Sequence, residues 1–310
     1  MFVEVEVPVL DAVLGKTLPF NLHWQLVKQT PQISLSKHQF DTFWKQGHLS
    51  IPNFIDPAEV DEIERVFRHL FDVHAGWKEG HFYDMAGSEQ NDDFKLPQML
   101  HLAKYAPELL RTSFWANADA LAKELLGPAA HFSFDHGINK PVRPDSQTPW
   151  HQDQAFHRVG SRIENITIWL PLQEVTPDNG CLKFIPGSHL TGMVKHRNYQ
   201  NDARIEGLEA LGVNEDDAVY APLPKGGVSI HHSRTLHAAG PNLSRGPRKV
   251  YSLVFAVETD EVVVPVEYDW NSHKPTARLK RQQEFDGKLT SRVQRSIKKV
   301  LSTTLHRVVG

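Results

Sequence analysis

The tripeptide His151-Gln152-Asp153 places an imidazole and a carboxylate two positions apart. Alternate side chains of a β-strand point to the same face, so at a strand end these two groups converge while Gln152 faces away. His237, which follows an apolar run ending at Ile230, is the candidate for a third ligand. Two histidines and one carboxylate leave three positions open on an octahedral metal, as at non-haem iron(II) sites, whereas structural zinc takes four protein ligands.

A His-x-Asp tripeptide indicates little by itself, because 18 histidines and 37 acidic residues produce this spacing by chance. A surface pair at a strand edge is the alternative interpretation. Arg248 favours the metal site, since it lies eleven positions after His237 and begins the apolar segment that includes Val250 to Val257. Inside a barrel, a guanidinium at this position can bind a dicarboxylate through paired hydrogen bonds. Arg245 lies in a turn and is expected to be solvated.

Helical patterns come first in the chain and β patterns follow. Asp56 precedes a proline and is expected to cap a helix, with Glu59 reaching back to the cap. A second helix is predicted over 107–126, before a Gly-Pro pair. From 131 to about 258, short apolar or alternating runs such as Ile166-x-Ile168-x-Leu170 are separated by turn residues, which is typical of an antiparallel barrel or jelly roll.

We therefore expect one catalytic domain over 1–310, mainly β with flanking helices. Its predicted parts are an N-terminal extension (1–34), a mainly helical flank (35–130), a β core (131–262) with a loop-rich insertion (192–227), and a basic amphipathic C-terminal helix (277–310). The last segment has nine Lys or Arg and two acidic residues. Its apolar residues recur at helical spacing, which predicts docking on the barrel or on a second subunit, and thus a homo-oligomer through this helix. A membrane or another anionic partner is the alternative.

The charge balance of 34 basic and 37 acidic residues gives a net charge of -3 and indicates neither nucleic acid nor a membrane surface as partner. No stretch reaches the length of a membrane span, so a small-molecule substrate is expected. Cys181 is the only cysteine, which rules out an internal disulfide and a thiolate cluster. We expect it to be a small buried residue, and we expect a cytoplasmic protein.

Several motifs in a fixed order resemble the phytanoyl-CoA dioxygenase family. They are Gly47-His48-Leu49-Ser50-Ile51-Pro52 within the segment 35–71, Ile138-Asn139-Lys140-Pro141, Trp150-His151-Gln152-Asp153, Asn179-Gly180-Cys181-Leu182, Ile185-Pro186-Gly187-Ser188-His189, and the stretch from His237 to Arg248. The family is a branch of the 2-oxoglutarate-dependent oxygenases. The resemblance covers most of the chain and implies a double-stranded β-helix core, which is a jelly roll of the cupin-like kind.

The resemblance also implies roles for individual residues. It makes His151, Asp153 and His237 the ligands of Fe(II), and it makes Arg248 the partner of the distal carboxylate of 2-oxoglutarate. The resemblance implies further cosubstrate-lining positions. One is Trp169, for which a plain core aromatic is the alternative, and another is His136, where the residue type differs from the family. A third is Gln98 or Met99, because the register does not decide between them. Ala239 stands where relatives carry a serine.

The implied activity is hydroxylation of an unactivated C–H bond in a small organic substrate, with O2 as oxidant and release of succinate and CO2. Desaturation, cyclisation or another oxidation at the same site is the alternative. Two further alternatives are a non-catalytic metal-binding barrel and a cupin-type metalloenzyme that needs no 2-oxoglutarate. Asp153 favours oxygen over halogen transfer, because related halogenases replace this ligand by a small residue.

Two groups of residues near the expected ligands each have two possible interpretations. Phe156, His157 and Arg158 follow the tripeptide into a loop that either lines a substrate pocket or lies on the surface. His231 and His232 precede His237 by six and five positions and are expected to be satisfied histidines of the barrel. A contact between one of them and a metal ligand is the alternative.

Overall fold

The computed structural model describes residues 29–89, 93–156, 163–258, 268–271 and 274–288. The helices of this part are α1 (Lys37–Gln46), α2 (Pro57–Asp72), α3 (Leu102–Tyr105), α4 (Ser113–Leu126) and α5 (277–288). The strands are β1 (His48–Ile51), β2 (Phe82–Asp84), β3 (Pro97–Leu100), β4 (His131–Lys140), β5 (Thr148–His151), β6 (Ile163–Pro171), β7 (Leu182–Phe184), β8 (His196–Asn198), β9 (Leu208–Ala210), β10 (Val219–Ala221), β11 (Val228–His232), β12 (His237–Ala239) and β13 (Arg248–Glu258). None of the helices described is long and apolar enough to span a membrane.

Two antiparallel sheets form the predicted jelly roll. The larger sheet has seven strands in the order β1-β11-β6-β13-β4-β3-β2, and the smaller sheet has four in the order β10-β7-β12-β5. Side chains of both sheets pack together in one cluster, which includes Trp169 and Val250 from the larger sheet and Leu182 and Phe184 from the smaller one. The mainly β fold with flanking helices is therefore confirmed.

The two faces of the larger sheet have opposite character. One face carries apolar residues such as Ile168, Ile230 and Leu253, which pack in a large core with side chains of α2 and α4. The other face carries polar and charged side chains together with apolar ones such as Trp169 and Val254, and it faces the smaller sheet. Because strand residues alternate between faces, the same strands supply the core and the cavity wall. The inward residues of three neighbouring strands illustrate this: Ser229 and His231 on β11, Asn165, Thr167 and Trp169 on β6, and Arg248 and Ser252 on β13.

The helical flank differs from the prediction at two caps. Asp56 caps α2 as expected, and its carboxylate accepts a hydrogen bond from Ala58 N at 2.8 Å. Glu59 does not reach back to this cap, because its carboxylate accepts from Phe114 N at 3.2 Å and so caps a neighbouring helix. The helix predicted over 107–126 is a 3-10 turn (Pro107–Arg111) followed by α4. Thr112 separates them, since its hydroxyl accepts from Trp115 N at 3.1 Å.

The segment 192–227 was predicted to be a loop-rich insertion outside the core, and this is wrong for its last part. β8 and β9 pair with each other, but β10 pairs with β7 as an edge strand of the smaller sheet. Ala221 and Leu223 are buried in the cluster between the sheets. Three residues are too few to show a strand period, and the prolines that follow are tolerated at a sheet edge.

The C-terminal helix is described over 277–288, and this part docks on its own chain. Arg281 donates to the carbonyls of Trp77 at 3.0 Å and Phe82 at 3.1 Å, and Arg278 donates to the carbonyl of Gly80 at 2.8 Å. The apolar positions predicted beyond 288 and most of the N-terminal extension, 1–28, lie outside the described residues. Docking on the barrel is thus observed for α5, and a homo-oligomer stays a prediction.

Gly137 allows α2 to approach β4 on the apolar face of the larger sheet. A Cβ at this position would lie 2.5 Å from Cε2 of Phe67 and 3.1 Å from Cε2 of Phe71. We expect Gly137→Ala to lower the free energy of unfolding by about 1–3 kcal/mol, because the rings must shift in a packed core. Urea denaturation measures this loss. Gly246→Ala, with no atom within 4 Å of its Cβ, is the control and should change stability little; an equal loss in both variants would contradict the packing account.

Candidate metal centre and cosubstrate pocket

His151, Asp153 and His237 form a cluster whose potential ligand atoms all lie within 4.8 Å of one another. The pairing of β5 with β12 brings the two histidines together, because His237 and His151 are direct Cα partners. The alternation of strand side chains predicted that Asp153 lies on the strand, but it lies beyond the strand end. β5 ends at His151, and Asp153 begins a 3-10 turn that directs its carboxylate back toward the imidazoles. Its Oδ1 is 3.5 Å from Nε2 of each histidine.

The orientation of both imidazoles is set by their backbone. Nδ1 of His151 lies 2.8 Å from the carbonyl of Pro149, and Nδ1 of His237 lies 2.9 Å from the carbonyl of Thr235. Each Nδ1 therefore donates, and each Nε2 keeps its lone pair. Because both Nε2 atoms face the carboxylate, two neutral donors and one charged donor point to a common position, which suits a divalent metal.

Asp153 directs only one oxygen toward His151 and His237. Its Oδ2 accepts hydrogen bonds from Oγ1 of Thr167 at 2.9 Å and from Nε2 of His231 at 3.2 Å. Burial alone would raise the pKa of Asp153, but the surrounding imidazoles of His237, His151 and His231 hold the pKa well below its usual range. Burial lowers the pKa of His237. The carboxylate is thus charged and the imidazole neutral, which are the metal-binding forms.

His231 was expected to be a satisfied barrel histidine, and its contact with Asp153 corrects that expectation. It lies on β11 directly beside Thr167 of β6, so both donors reach the same carboxylate oxygen. His232 points to the other face and contacts Glu164. The sequence does indicate that His231 faces inward, because it follows Ser229 by two positions on the same strand. It does not indicate that the distant Asp153 is its partner.

We expect His231→Leu to weaken iron(II) binding by about 10–100-fold, because hydrogen bonds to metal ligands typically have effects of this size. His231→Gln keeps an N–H donor near the position of Nε2 and should recover most of the affinity. Anaerobic calorimetric titration with iron(II) measures both. If leucine binds iron as tightly as histidine does, His231 has no part in positioning Asp153.

A cavity of about 580 Å³ opens beside this cluster, between the two sheets. Arg248 lines the cavity and is 2 % exposed. Among the residues that the structure describes, neither Nε nor Nη1 of Arg248 has a hydrogen-bond partner. Burial lowers the pKa of Arg248 to about 9, and the guanidinium lies 5.4 Å from the ring centre of Trp169. A buried cation without a partner fits an anionic cosubstrate such as 2-oxoglutarate.

The other expected cosubstrate positions also line this cavity. Gln98 lines the cavity and its Oε1 lacks a partner within the described residues, whereas Met99 is fully buried in the apolar core. His136 lines the cavity, and burial lowers its pKa to about 4, so it is neutral. Ala239 lies there too and leaves the expected hydroxyl missing.

The sequence predicted the positions of some residues around the cavity and missed others. Gln152 faces away as expected and donates to the carbonyls of Gly192 and Arg234. Arg245 is exposed, and Phe156 lines the cavity, while 157–160 lie outside the described residues. Sequence reasoning missed the fully buried Lys140, which lies beside Arg248 on the next strand and donates to the carbonyl of Gly240 at 2.7 Å. It also missed Thr148, a polar residue of the cavity wall.

Known proteins resemble this chain in sequence and in structure. The profile of the phytanoyl-CoA dioxygenase (PhyH) family matches residues 43–250. A "Probable alpha-ketoglutarate-dependent hypophosphite dioxygenase" of Stutzerimonas stutzeri is 34% identical over 129 residues, which are 39% of this chain and 44% of that protein. "Phytanoyl-CoA dioxygenase domain-containing protein 1" of Danio rerio is 22% identical over 260 residues, covering 70% of this chain and 89% of the relative.

A solved structure extends the likeness to the whole fold. EvdO2 from Micromonospora carbonacea var. aurantiaca, complexed with 2-oxoglutarate, superposes with a TM-score of 0.67 at 31% sequence identity. The superposition covers 77% of this chain and 98% of EvdO2. The profile match spans most of both sheets and the His-Asp-His cluster, and the cavity beside that cluster contains a buried arginine whose Nε and Nη1 lack hydrogen-bond partners among the described residues. This chain therefore belongs to the phytanoyl-CoA dioxygenase family of iron(II)- and 2-oxoglutarate-dependent dioxygenases.

Proposed function

We propose that this chain hydroxylates an unactivated C–H bond of a small organic molecule and converts 2-oxoglutarate to succinate and carbon dioxide. One observation carries the proposal: the buried guanidinium of Arg248, whose Nε and Nη1 have no hydrogen-bond partner in the described part of the chain, shares a cavity with the cluster of His151, Asp153 and His237. A metal site alone would fit many barrels. A buried cation beside it supplies the recognition that a dicarboxylate cosubstrate needs.

The residues divide the work of binding between them. His151, Asp153 and His237 would hold iron(II) from one side and leave its other side open to the cavity. Arg248 would bind the distal carboxylate of 2-oxoglutarate, with Trp169 against the guanidinium. Bound iron and 2-oxoglutarate together supply the reduction of dioxygen that C–H oxidation requires.

The polar partners of the ligands support turnover by fixing the site. Thr167 and His231 hold one oxygen of Asp153, so the carboxylate cannot swing toward the substrate side. His237 is 4 % exposed and His151 is 8 % exposed, which limits the water around the metal. A dry and rigid site protects reactive species and orients the substrate. The cavity of about 580 Å³ has room for a small substrate beside the cosubstrate.

The test begins with anaerobic titration of the protein with iron(II) and 2-oxoglutarate. The expected result is a metal-to-ligand charge-transfer band that forms only when both are present. Substrate candidates are then screened in air by succinate formation, and products are analysed by mass spectrometry. A product with one added oxygen atom supports hydroxylation, whereas loss of two hydrogens indicates desaturation or cyclisation at the same site. Absence of the band would refute the proposed use of 2-oxoglutarate.

A further inference from the structure

Two segments that are distant in sequence meet at the mouth of the cavity. Glu206 lies in the insertion 192–227, and it binds the segment that leads into α5. Its carboxylate accepts from Thr276 Oγ1 and, at 3.2 Å, from Arg278 Nη1, and its carbonyl accepts from Lys274 Nζ at 3.1 Å. Glu206, Lys274 and Arg278 all line the cavity. Residues of the segment 192–227 and of the segment that leads into α5 therefore both contribute to the cavity lining.

Among the described residues at the mouth, Glu206 contributes one negative charge, and Lys274 and Arg278 contribute two positive charges. Glu206 has both carboxylate oxygens engaged by Thr276 and Arg278. Arg278 is further satisfied by the carbonyl of Gly80 and lies with its guanidinium carbon 4.3 Å from the ring centre of Tyr83. Lys274 is different, because in the described part of the chain its ammonium has a single acceptor, the carbonyl of Glu206. Among the described residues, no acceptor contacts the other two N–H donors of Lys274.

Phe156 lies between Lys274 and the metal-ligand candidate His151. Nζ of Lys274 is 5.9 Å from the ring centre of Phe156, and that ring centre is 5.9 Å from the ring centre of His151. Burial lowers the pKa of Lys274 to about 8. The nearby Glu206 raises this pKa, and the nearby Arg278 lowers it further. Among the described residues, no carboxylate forms an ion pair with the Lys274 ammonium. Burial has removed part of the hydration of this ammonium, and an anion would replace it.

We propose that Lys274 determines substrate specificity by binding an anionic group of the substrate, a carboxylate or a phosphate. This inference rests on the proposed function, because it names the class of molecule that the same cavity oxidises. The cavity lining also includes apolar side chains that would hold the body of the substrate, namely Met85, Leu96, Leu100, Phe134 and Val254. The substrate is thus an amphiphile, with its charge at the mouth and the carbon to be oxidised near the metal.

The test compares three probes of equal chain length: octanoate, octyl phosphate and uncharged octanamide. Each is titrated anaerobically by calorimetry into protein saturated with iron(II) and 2-oxoglutarate, so that Arg248 is already occupied. We expect at least one anion to bind about tenfold or more tightly than the amide, because a charge-assisted hydrogen bond is lost in the amide. The preferred anion distinguishes a carboxylate from a phosphate as the group recognised.

The variants identify the residue responsible. Lys274→Met keeps the length of the side chain and should bind the anions no more tightly than the amide. Lys280→Met, an exposed lysine on α5, is the matched control and should keep the preference. Equal binding of all probes by the parent protein, no binding of either anion, or a preference that survives in Lys274→Met would overturn the proposal. The charge-transfer band is recorded in the same samples, so failure to bind 2-oxoglutarate is recognised separately.

Discussion

Replacing Arg248 by alanine is expected to abolish 2-oxoglutarate turnover while iron(II) binding persists. The distal carboxylate of the cosubstrate would then be buried without a partner, which costs on the order of 3–5 kcal/mol, or at least two decades in affinity. The metal ligands lie on β5, on β12 and in the turn after β5, whereas Arg248 begins β13. Calorimetric iron titration, the charge-transfer band and succinate formation therefore report on separate parts of the site.

Arg245→Ala is the matched control, because this arginine lies three residues away and is exposed. It should bind 2-oxoglutarate like the parent protein. The variant Arg248→Ala should also not unfold more easily without ligand, since the parent buries a guanidinium that lacks partners at Nε and Nη1 within the described residues. A normal rate of succinate formation in Arg248→Ala would remove Arg248 from the cosubstrate site.

The metal cluster could be predicted because two of its ligands lie close together in the sequence. His151 and Asp153 are two residues apart, and family motifs in a fixed order identify His237 and Arg248 as their distant partners. The spacing alone was less informative than it seemed, since Asp153 lies beyond the strand end and reaches the site through a turn. The residue types were right, but the assumed local geometry was not.

Alternation predicted the strands of the larger sheet but could not decide which face was inside. In β6, Ile166, Ile168 and Leu170 form one face, and Asn165, Thr167 and Trp169 form the other. A polar face usually meets solvent, whereas in this fold the apolar face is covered by α2 and α4, and the polar face lines the cavity. Periodicity is the same in both arrangements, so it does not separate them.

Contacts between distant polar residues could not be predicted. Thr167 is 14 residues from Asp153, His231 is 78 residues from it, and Lys274 is 68 residues from Glu206. Each pair depends on strand register or on the path of a loop, which a single sequence does not encode in any local pattern. The consequence is that residues recognised from motifs bind the metal and cosubstrate, whereas the residues that position ligands or select substrate became visible only in the folded chain.

Alanine at Asp153 and alanine at His237 are each expected to lower iron(II) affinity by roughly a hundredfold or more, because even partners of metal ligands contribute 10–100-fold. The effect should also appear in thermal unfolding. A ligand at 100 times its dissociation constant stabilises the native state by about 2.7 kcal/mol, so iron should raise the Tm of the parent protein clearly and that of either variant much less.

Two exposed residues provide controls for these variants. His131→Ala on β4 and Asp41→Ala on α1 remove the same side-chain types away from the cluster and should keep the parent response to iron. The ligand assignment is wrong if Asp153→Ala and His237→Ala both bind iron as tightly as the parent. Iron retained only in Asp153→Ala would mean that two histidines suffice, the ligand set of related halogenases. In that case, the hydrogen bonds from Thr167 and His231 would act on a carboxylate that shapes the cavity and is not needed to hold the metal.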